Sequence, residues 1–257
     1  MKELAQLMQS YADIKSLNEL NGSCETAIAG IKFYRASASS ARQPLLYQSG
    51  IIVMGQGRKN IYVADNCLQY GPGDYLVLGV PMPLECEAFS DSGLPIFGLV
   101  IDVDSPTLHK LVNQITEQRK QLKLAVKNDK ADLDFGIKAN SLDNDFNNTI
   151  IRLLKVLHND LEAKVLGPAI VEEIVYRALV GDNGHILFDL ARHDGHYARI
   201  ARVLGTLHKE YAELISVENL AEQVHMSVSG FHRAFRQVTS ETPLQYLKKI
   251  RLNKAKD

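Results

Sequence analysis

The pattern of hydrophobic and polar positions changes character along the chain. Leu4, Leu7, Met8 and Tyr11 fall at helical spacing and predict a short helix over residues 2–14. From about residue 23 to residue 104 the pattern becomes a series of short apolar runs, at 27–34, 50–54, 60–64, 75–80 and 96–101. Turn-forming segments separate them: Gly55-Gln56-Gly57, Asp65-Asn66, Gly71-Pro72-Gly73-Asp74, Pro81-Met82-Pro83 and Asp91-Ser92-Gly93. Short strands with such regular punctuation predict a β-sandwich or barrel.

After this region the period becomes helical. Ser105 followed by Pro106 reads as a cap and first turn, with Leu108, Leu111, Val112 and Ile115 on one face. Residues 119–140 are polar and mixed and read as a loop. Helices follow near 142–158 (Ile150, Ile151, Leu153, Leu154, Leu157) and 168–180 (Ile170, Val171, Ile174, Val175, Leu179). Gly181-Asp182-Asn183-Gly184 then breaks the chain, and a further helix spans 196–215 with Ile200, Val203, Leu204 and Leu207 inward. The class is therefore α+β, divided at 1–104 (strands, with the leading helix), 105–193 (helical) and 194–257 (helical). The apolar stripes of 142–158 and 168–180 serve either as core or as a dimer interface, so a homodimer stays open.

The most informative stretch runs from Ser216 to Thr239. Ser216 can cap a first helix whose Val217, Leu220, Ala221 and Val224 form one apolar face. His225-Met226 makes a turn, and Ser227 caps a second helix striped by Phe231, Phe235 and Val238. Ser229, His232, Arg233 and Arg236 share the opposite face, and no acidic residue lies between Ser227 and Gln237. Short and long donors near a helix start suit base edges in a major groove, where Arg can donate twice to guanine. Ser227, Ser229, His232, Arg233 and Arg236 are thus the candidate DNA-contacting residues. A solvated face on an ordinary helical hairpin would show the same periodicity.

Charge sharpens this picture. The whole chain is nearly neutral, at −1, but residues 199–257 hold ten Lys/Arg against six Asp/Glu. That gives a net charge of +4 on a body of −5, as a nucleic-acid-binding module would have. The 46% hydrophobic and 23% charged composition is that of a soluble globular protein. No apolar run reaches the length of a membrane span, and the start lacks a signal core. Cys24, Cys67 and Cys86 are odd in number and irregularly spaced, which argues against a disulfide framework and for a cytoplasmic location.

The residues that follow carry a resemblance. Leu220-Ala221, Met226-Ser227, Phe231-His232-Arg233, Phe235-Arg236, Pro243-Leu244-Gln245-Tyr246 and Arg251-Leu252 with Ala255 are similar to the DNA-binding domain of the AraC/XylS family. Tyr34-Arg35, Gly55-Gln56-Gly57-Arg58-Lys59, the run from Tyr70 to Leu76, and the run from Arg192 to His196 resemble the sensing domain of one subclass. The resemblance implies a cupin-like β-barrel that binds an effector, a helical dimerisation region, and a helix-turn-helix that binds double-stranded DNA. The family has two helix-turn-helix units, and the 257 residues reach through one, so the second half is expected to be absent. Two positions depart from the pattern. His225 stands where a left-handed glycine is common, and Ser240 where Gly or Ala is common after the second helix.

The expected function is a sequence-specific, DNA-binding transcriptional regulator controlled by a small-molecule effector in the barrel. Two other classes stay open, a cupin-type metal enzyme and an interaction protein that does not itself bind DNA. The enzyme is disfavoured because the first histidine is His109, past the strands, whereas cupin metals sit mostly on imidazoles. No metal site, cofactor or catalytic residue is expected. Tyr34, Arg35, Met54, Tyr62, Tyr75, Met82 and Cys86 are the candidate effector contacts in a mostly apolar pocket. Tyr and Met at strand spacing serve equally as packing, Arg35 as an ion-pair partner, and the cysteines as a thiol sensor.

Overall fold

The period-two alternation of the first hundred residues builds two antiparallel sheets. The structure, a computed structural model, describes residues 2–63, 66–91, 93–122, 136–192 and 195–255. Helix α1 (Lys2–Ile14) leads into β1 (Gly22–Glu25), β2 (Ile31–Ala36), β3 (Ser40–Tyr47), β4 (Gly50–Gln56), β5 (Arg58–Val63), β6 (Asn66–Tyr70), β7 (Asp74–Leu78), β8 (Met82–Phe89) and β9 (Ile96–Ile101). A further strand, β10 (Ile137–Ser141), joins from beyond residue 104. One sheet has the order β1-β2-β9-β4-β7-β10 and the other β3-β8-β5-β6. The N-terminal architecture is a two-sheet sandwich.

Both faces of the six-stranded sheet are covered. On one face Phe33 of β2 stacks on Tyr11 of α1 at 5.0 Å between ring centroids. Tyr75 of β7 lies 4.5 Å from Phe146 of α3 (Asn144–Leu157) on the same face. On the other face Tyr34 meets Lys59 of the four-stranded sheet, with the Lys59 Nζ 3.7 Å from the ring centroid. Successive side chains of a strand point to opposite faces. Each strand of this sheet therefore sends alternate residues to the helices and to the sandwich interior.

Several strands lie where the apolar pattern is silent. β3 is an edge strand, and of its side chains only Tyr47 is buried, so no buried face marks it. Pro81-Met82-Pro83, expected as a turn, instead opens β8, with Leu46 opposite Pro83 and Tyr47 opposite Met82. Pairing of β8 with β5 begins only at Glu85, so the missing N–H of Pro83 falls beyond that ladder. The segment 119–140, expected as a loop, carries the end of α2 (Ser105–Gln121) and all but the last residue of β10. Its centre lies outside the described residues.

The helices follow the expected order with shifted ends. α2 is capped by Asp104, one residue before the expected Ser105. The Asp104 carboxylate accepts the Thr107 N–H at 2.9 Å, and Pro106 sits in the first turn. α4 (Asp160–Val180) starts eight residues earlier than its periodicity suggested, capped by Asn159, with Pro168 inside it. Its first turns are amply exposed, so no apolar stripe marks them. Gly167 lets α4 approach the sandwich, since a Cβ there would fall 2.6 Å from Ile28 Cδ1. α5 (His185–Ala191) and α6 (His196–Lys209) follow, and α6 ends six residues short of the expected Ile215. α7 (Val217–Gln223), α8 (Val228–Thr239) and α9 (Pro243–Lys254) complete the order. Among the described residues, no helix is long and apolar enough to cross a membrane.

α3 and α4 are locked by a charged network. The Glu173 carboxylate accepts from Thr149 Oγ1 at 2.9 Å, from Arg177 Nη2 at 2.7 Å, and from Arg152. Burial alone would raise this carboxyl, but the bonds from Arg177, Arg152 and Thr149 outweigh it and hold the pKa at about 2. A depressed carboxylate stabilises the fold above its unfolded value and loses that contribution as pH falls toward its folded value. Glu173→Gln is expected to cost about 1 kcal/mol at pH 7 in urea unfolding, discounted for partial exposure. The gap between wild type and variant should close as pH falls from 4.5 to about 2.

Candidate nucleic-acid interface and sandwich interior

α7 and α8 are defined by their caps and by one tight turn. Ser216 Oγ accepts the Asn219 N–H at 3.4 Å, and Ser227 Oγ accepts the Gly230 N–H at 3.2 Å. Between them His225 takes a left-handed φ of 52°, which the sequence anticipates at this position. The Met226 N–H returns to the Ala221 carbonyl at 3.0 Å, closing the turn. Ala221 is buried at the approach of the two helices. Phe231, Phe235 and Val238 are fully buried, and Phe235 meets Tyr246 of α9 edge to face at 5.6 Å. Burial of each phenyl ring contributes roughly 1.5–3 kcal/mol toward holding α8 in one orientation.

That orientation leaves Ser229, His232, Arg233 and Arg236 exposed together on the outer face, with Ser227 at its start. Arg233 and Arg236 make no ion pair among the described residues. Glu218 on α7 is close enough to feel His232. Its carboxyl sits below the ordinary value, through the Ser216 hydroxyl and its own backbone N–H first and His232 last. The face is cationic, unpaired and rigidly backed, as a phosphate- and base-contacting surface must be.

The sandwich interior sorts the other candidates. Tyr34 and Met54 are opposite Gly98 on neighbouring strands, and a Cβ on Gly98 would fall 3.2 Å from Met54 Sδ and 3.9 Å from Tyr34. Met82 and Cys86 enter from β8, on the same side as Leu84 and Ala88. These four candidates share the interior. Arg35 and Tyr75 lie on the helix-covered face instead. Arg35 donates to the Leu20 carbonyl at 2.9 Å, and burial and the carboxylates Asp182 and Asp143 push the Tyr75 hydroxyl up to about 12. Tyr62 alternates with the buried Ile61 and Val63 and takes the outer face of the four-stranded sheet. There it donates to Glu87 at 2.8 Å beneath the Arg42 guanidinium.

Three interior polar residues were not among the effector candidates read from the sequence: Tyr47, Lys59 and Tyr70. Tyr47 donates to Cys86 Sγ at 3.1 Å. Lys59 is 5% exposed and Tyr70 1% exposed, and the two are direct cross-strand partners. Their signal was parity, because Lys59 shares its face with Ile61 and Val63. Among the described residues, no group of three or more His, Cys, Asp or Glu side chains could hold a metal ion.

The two regions touch. α9 packs on β3 and β8. The Tyr246 hydroxyl donates to the Pro81 carbonyl at 2.8 Å and also lies 2.8 Å from His208 Nε2 of α6. Burial, then Lys254, holds the His208 imidazole below its ordinary pKa. The Gly136 N–H donates to the Val238 carbonyl at the end of α8, and the Gly136 carbonyl accepts from Gly79 after β7.

Comparison with known proteins places this geometry. The family profile described as AraC-type transcriptional regulator N-terminus matches residues 27–186. The profile described as bacterial regulatory helix-turn-helix proteins, AraC family, matches residues 207–248. No curated protein matches the chain. Among solved structures, ToxT from Vibrio cholerae O395 is 10% identical, covering 86% of this chain and 98% of that one, with a TM-score of 0.31. The AraC-like transcriptional activator CuxR is 11% identical, covering 88% and 77%, with a TM-score of 0.26. A cupin-2 domain containing protein from Shewanella frigidimarina is 13% identical, covering 37% and 99%, with a TM-score of 0.24.

Ser240 ends α8 with a φ of 64°, and its hydroxyl is buried without a partner. Ser240→Gly removes both the left-handed strain and the orphan oxygen. Chemical denaturation should show a gain of about 1 kcal/mol, with the position of α8 unchanged.

Proposed function

The chain belongs to the AraC family of transcriptional regulators, and from that premise we propose a regulator whose α8 reads the major groove while the sandwich interior receives a small-molecule effector. The observation that carries this reading is the outer face of α8. Ser229, His232, Arg233 and Arg236 project together, while Phe231 and Phe235 beneath them are fully buried. The reading divides the chain into a sensing unit over 1–104, a helical unit over 105–193 and a DNA-binding unit over 194–257, with β10 lent back to the sensing sheet. In this reading the protein works in the cytoplasm, where its DNA is.

The contact between α9 and the four-stranded sheet gives the effector a physical route to DNA. An effector that shifts β8 shifts the Pro81 carbonyl, and with it the Tyr246 hydroxyl that ties α9 and α6 to the sandwich. A coupling of about 1–3 kcal/mol is typical of such two-site linkage. A second copy is the proposed occupant of the outer face of α4. Leu161 is 73% exposed and Val165 66% exposed, and Tyr176 and Val180 continue the row at helical spacing. Isologous pairing along this row would bury side chains that water now surrounds.

Fluorescence anisotropy with promoter-length duplex DNA tests the first claim. Binding should weaken steeply with salt, and salt-independent or absent binding would refute the reading. Arg233→Ala should lose about 1–3 kcal/mol and relax base preference without loss of folding. For the assembly, Val165→Asp should weaken self-association in sedimentation velocity at least tenfold, while the monomer keeps its circular dichroism spectrum.

A further inference from the structure

The sandwich interior holds a lysine that meets no anion among the described residues. Lys59 is 5% exposed, and its Nζ lies 3.7 Å from the centroid of the Tyr34 ring. No ion pair or hydrogen bond of its ammonium is present among the described residues. Directly across the β5–β6 ladder, the hydroxyl of Tyr70 is also buried, beside the Tyr47 hydroxyl but outside hydrogen-bond geometry with it. Cys86 accepts from Tyr47 at 3.1 Å and points to the same side of β8 as Ala88, the cross-strand partner of Lys59, so Tyr34, Tyr47, Lys59, Tyr70 and Cys86 share one side of the interior. Around this cluster stand Met54 and Met82, and Gly98 lets Met54 and Tyr34 approach closely, since a Cβ there would fall 3.2 Å from Met54 Sδ.

A buried ammonium without a counter-charge is costly, and so is an orphaned buried hydroxyl. Apolar residues at both positions would serve a purely structural sandwich better. Burial also pushes the Lys59 amine below its ordinary value, which a bound anion would reverse. One cation and one O–H donor suit a singly charged acceptor with two oxygens. A phosphate dianion would bring a second charge that nothing in the cluster neutralises.

We infer that the effector is a monocarboxylate with an apolar body, its carboxylate held between the Lys59 ammonium and the Tyr70 hydroxyl and its body lying toward Met54, Gly98 and Met82. This rests on the reading of the sandwich interior as the effector site and names the chemistry of that site. Tyr34 is the residue of the cluster that reaches partial exposure, so the ligand enters beside its ring. Binding transfers the existing Lys59–Tyr34 contact into a three-way arrangement in which the ring stays below the ammonium.

The test uses acetate, benzoate and octanoate at millimolar concentration, each against the neutral amide of the same skeleton. Thermal unfolding of the full chain is read by differential scanning fluorimetry. Benzoate or octanoate should raise the midpoint by several degrees, and the matching amide by less than a third as much. Lys59→Met should fold, keep at least the wild-type midpoint without ligand, and lose the acid-specific rise. Lys59→Arg should retain it in part. Tyr70→Phe should weaken the apparent affinity about tenfold. Equal responses to acid and amide, a rise that survives in Lys59→Met, or no rise with any of the three acids would each overturn the proposal. A Lys59→Met protein much less stable than wild type without ligand would also overturn it, by making the lysine structural. DNA binding measured in parallel keeps the two readings apart. Salt-dependent binding with no acid response removes the carboxylate alone, and loss of DNA binding removes the regulator reading itself.

Discussion

The six-stranded sheet is buried on both faces, and that constraint governs what every residue in it can do. Helices α1 and α3 cover one face, and the four-stranded sheet covers the other. Neighbours in sequence are therefore separated by the thickness of a sheet. Tyr34 enters the interior and meets Lys59, while Arg35 turns to the helices and is consumed by the Leu20 carbonyl. The same alternation sends Met54 inward and brings Gly55 against Met8 of α1. A polar group on the interior face cannot reach water easily. Its pairing is a question for the ligand as much as for the protein.

A second feature ties this interior to the DNA-binding helices. α9 is both the last layer of the helix-turn-helix core, through Tyr246 against Phe235, and a layer on the four-stranded sheet, through Tyr246 to Pro81. One aromatic side chain serves two hydrophobic assemblies and places its hydroxyl between them. Rigid packing of this kind transmits small displacements, because close-packed side chains shift between discrete arrangements and deform little. The neighbouring Gly136 contact, which joins the end of α8 to the strand side, adds a backbone link in parallel.

Much of this was legible in the chain alone. The α8 stripe of Phe231, Phe235 and Val238 against Ser229, His232, Arg233 and Arg236 follows from a period of 3.6, which fixes faces without any tertiary contact. The Ser216 and Ser227 caps and the left-handed His225 are likewise local, since these caps bond within three residues and this turn within five. The strands that announce themselves are those with apolar runs. β3 and β10 do not, because an edge strand needs hydrogen-bond partners more than hydrophobic ones.

Pairing across the sandwich was decided only in three dimensions. Nothing local in the sequence brings Lys59 of β5 to Tyr34 of β2, or Tyr246 of α9 to the carbonyl of Pro81, 165 residues away in the chain. Such contacts depend on which sheets stack and in what register, and that is settled by the sum of many weak packing terms. The chain alone therefore established a helix-turn-helix behind a β domain. Tertiary structure determined which polar groups that domain leaves buried and unpaired, because pairing depends on neighbours that sequence distance does not reveal.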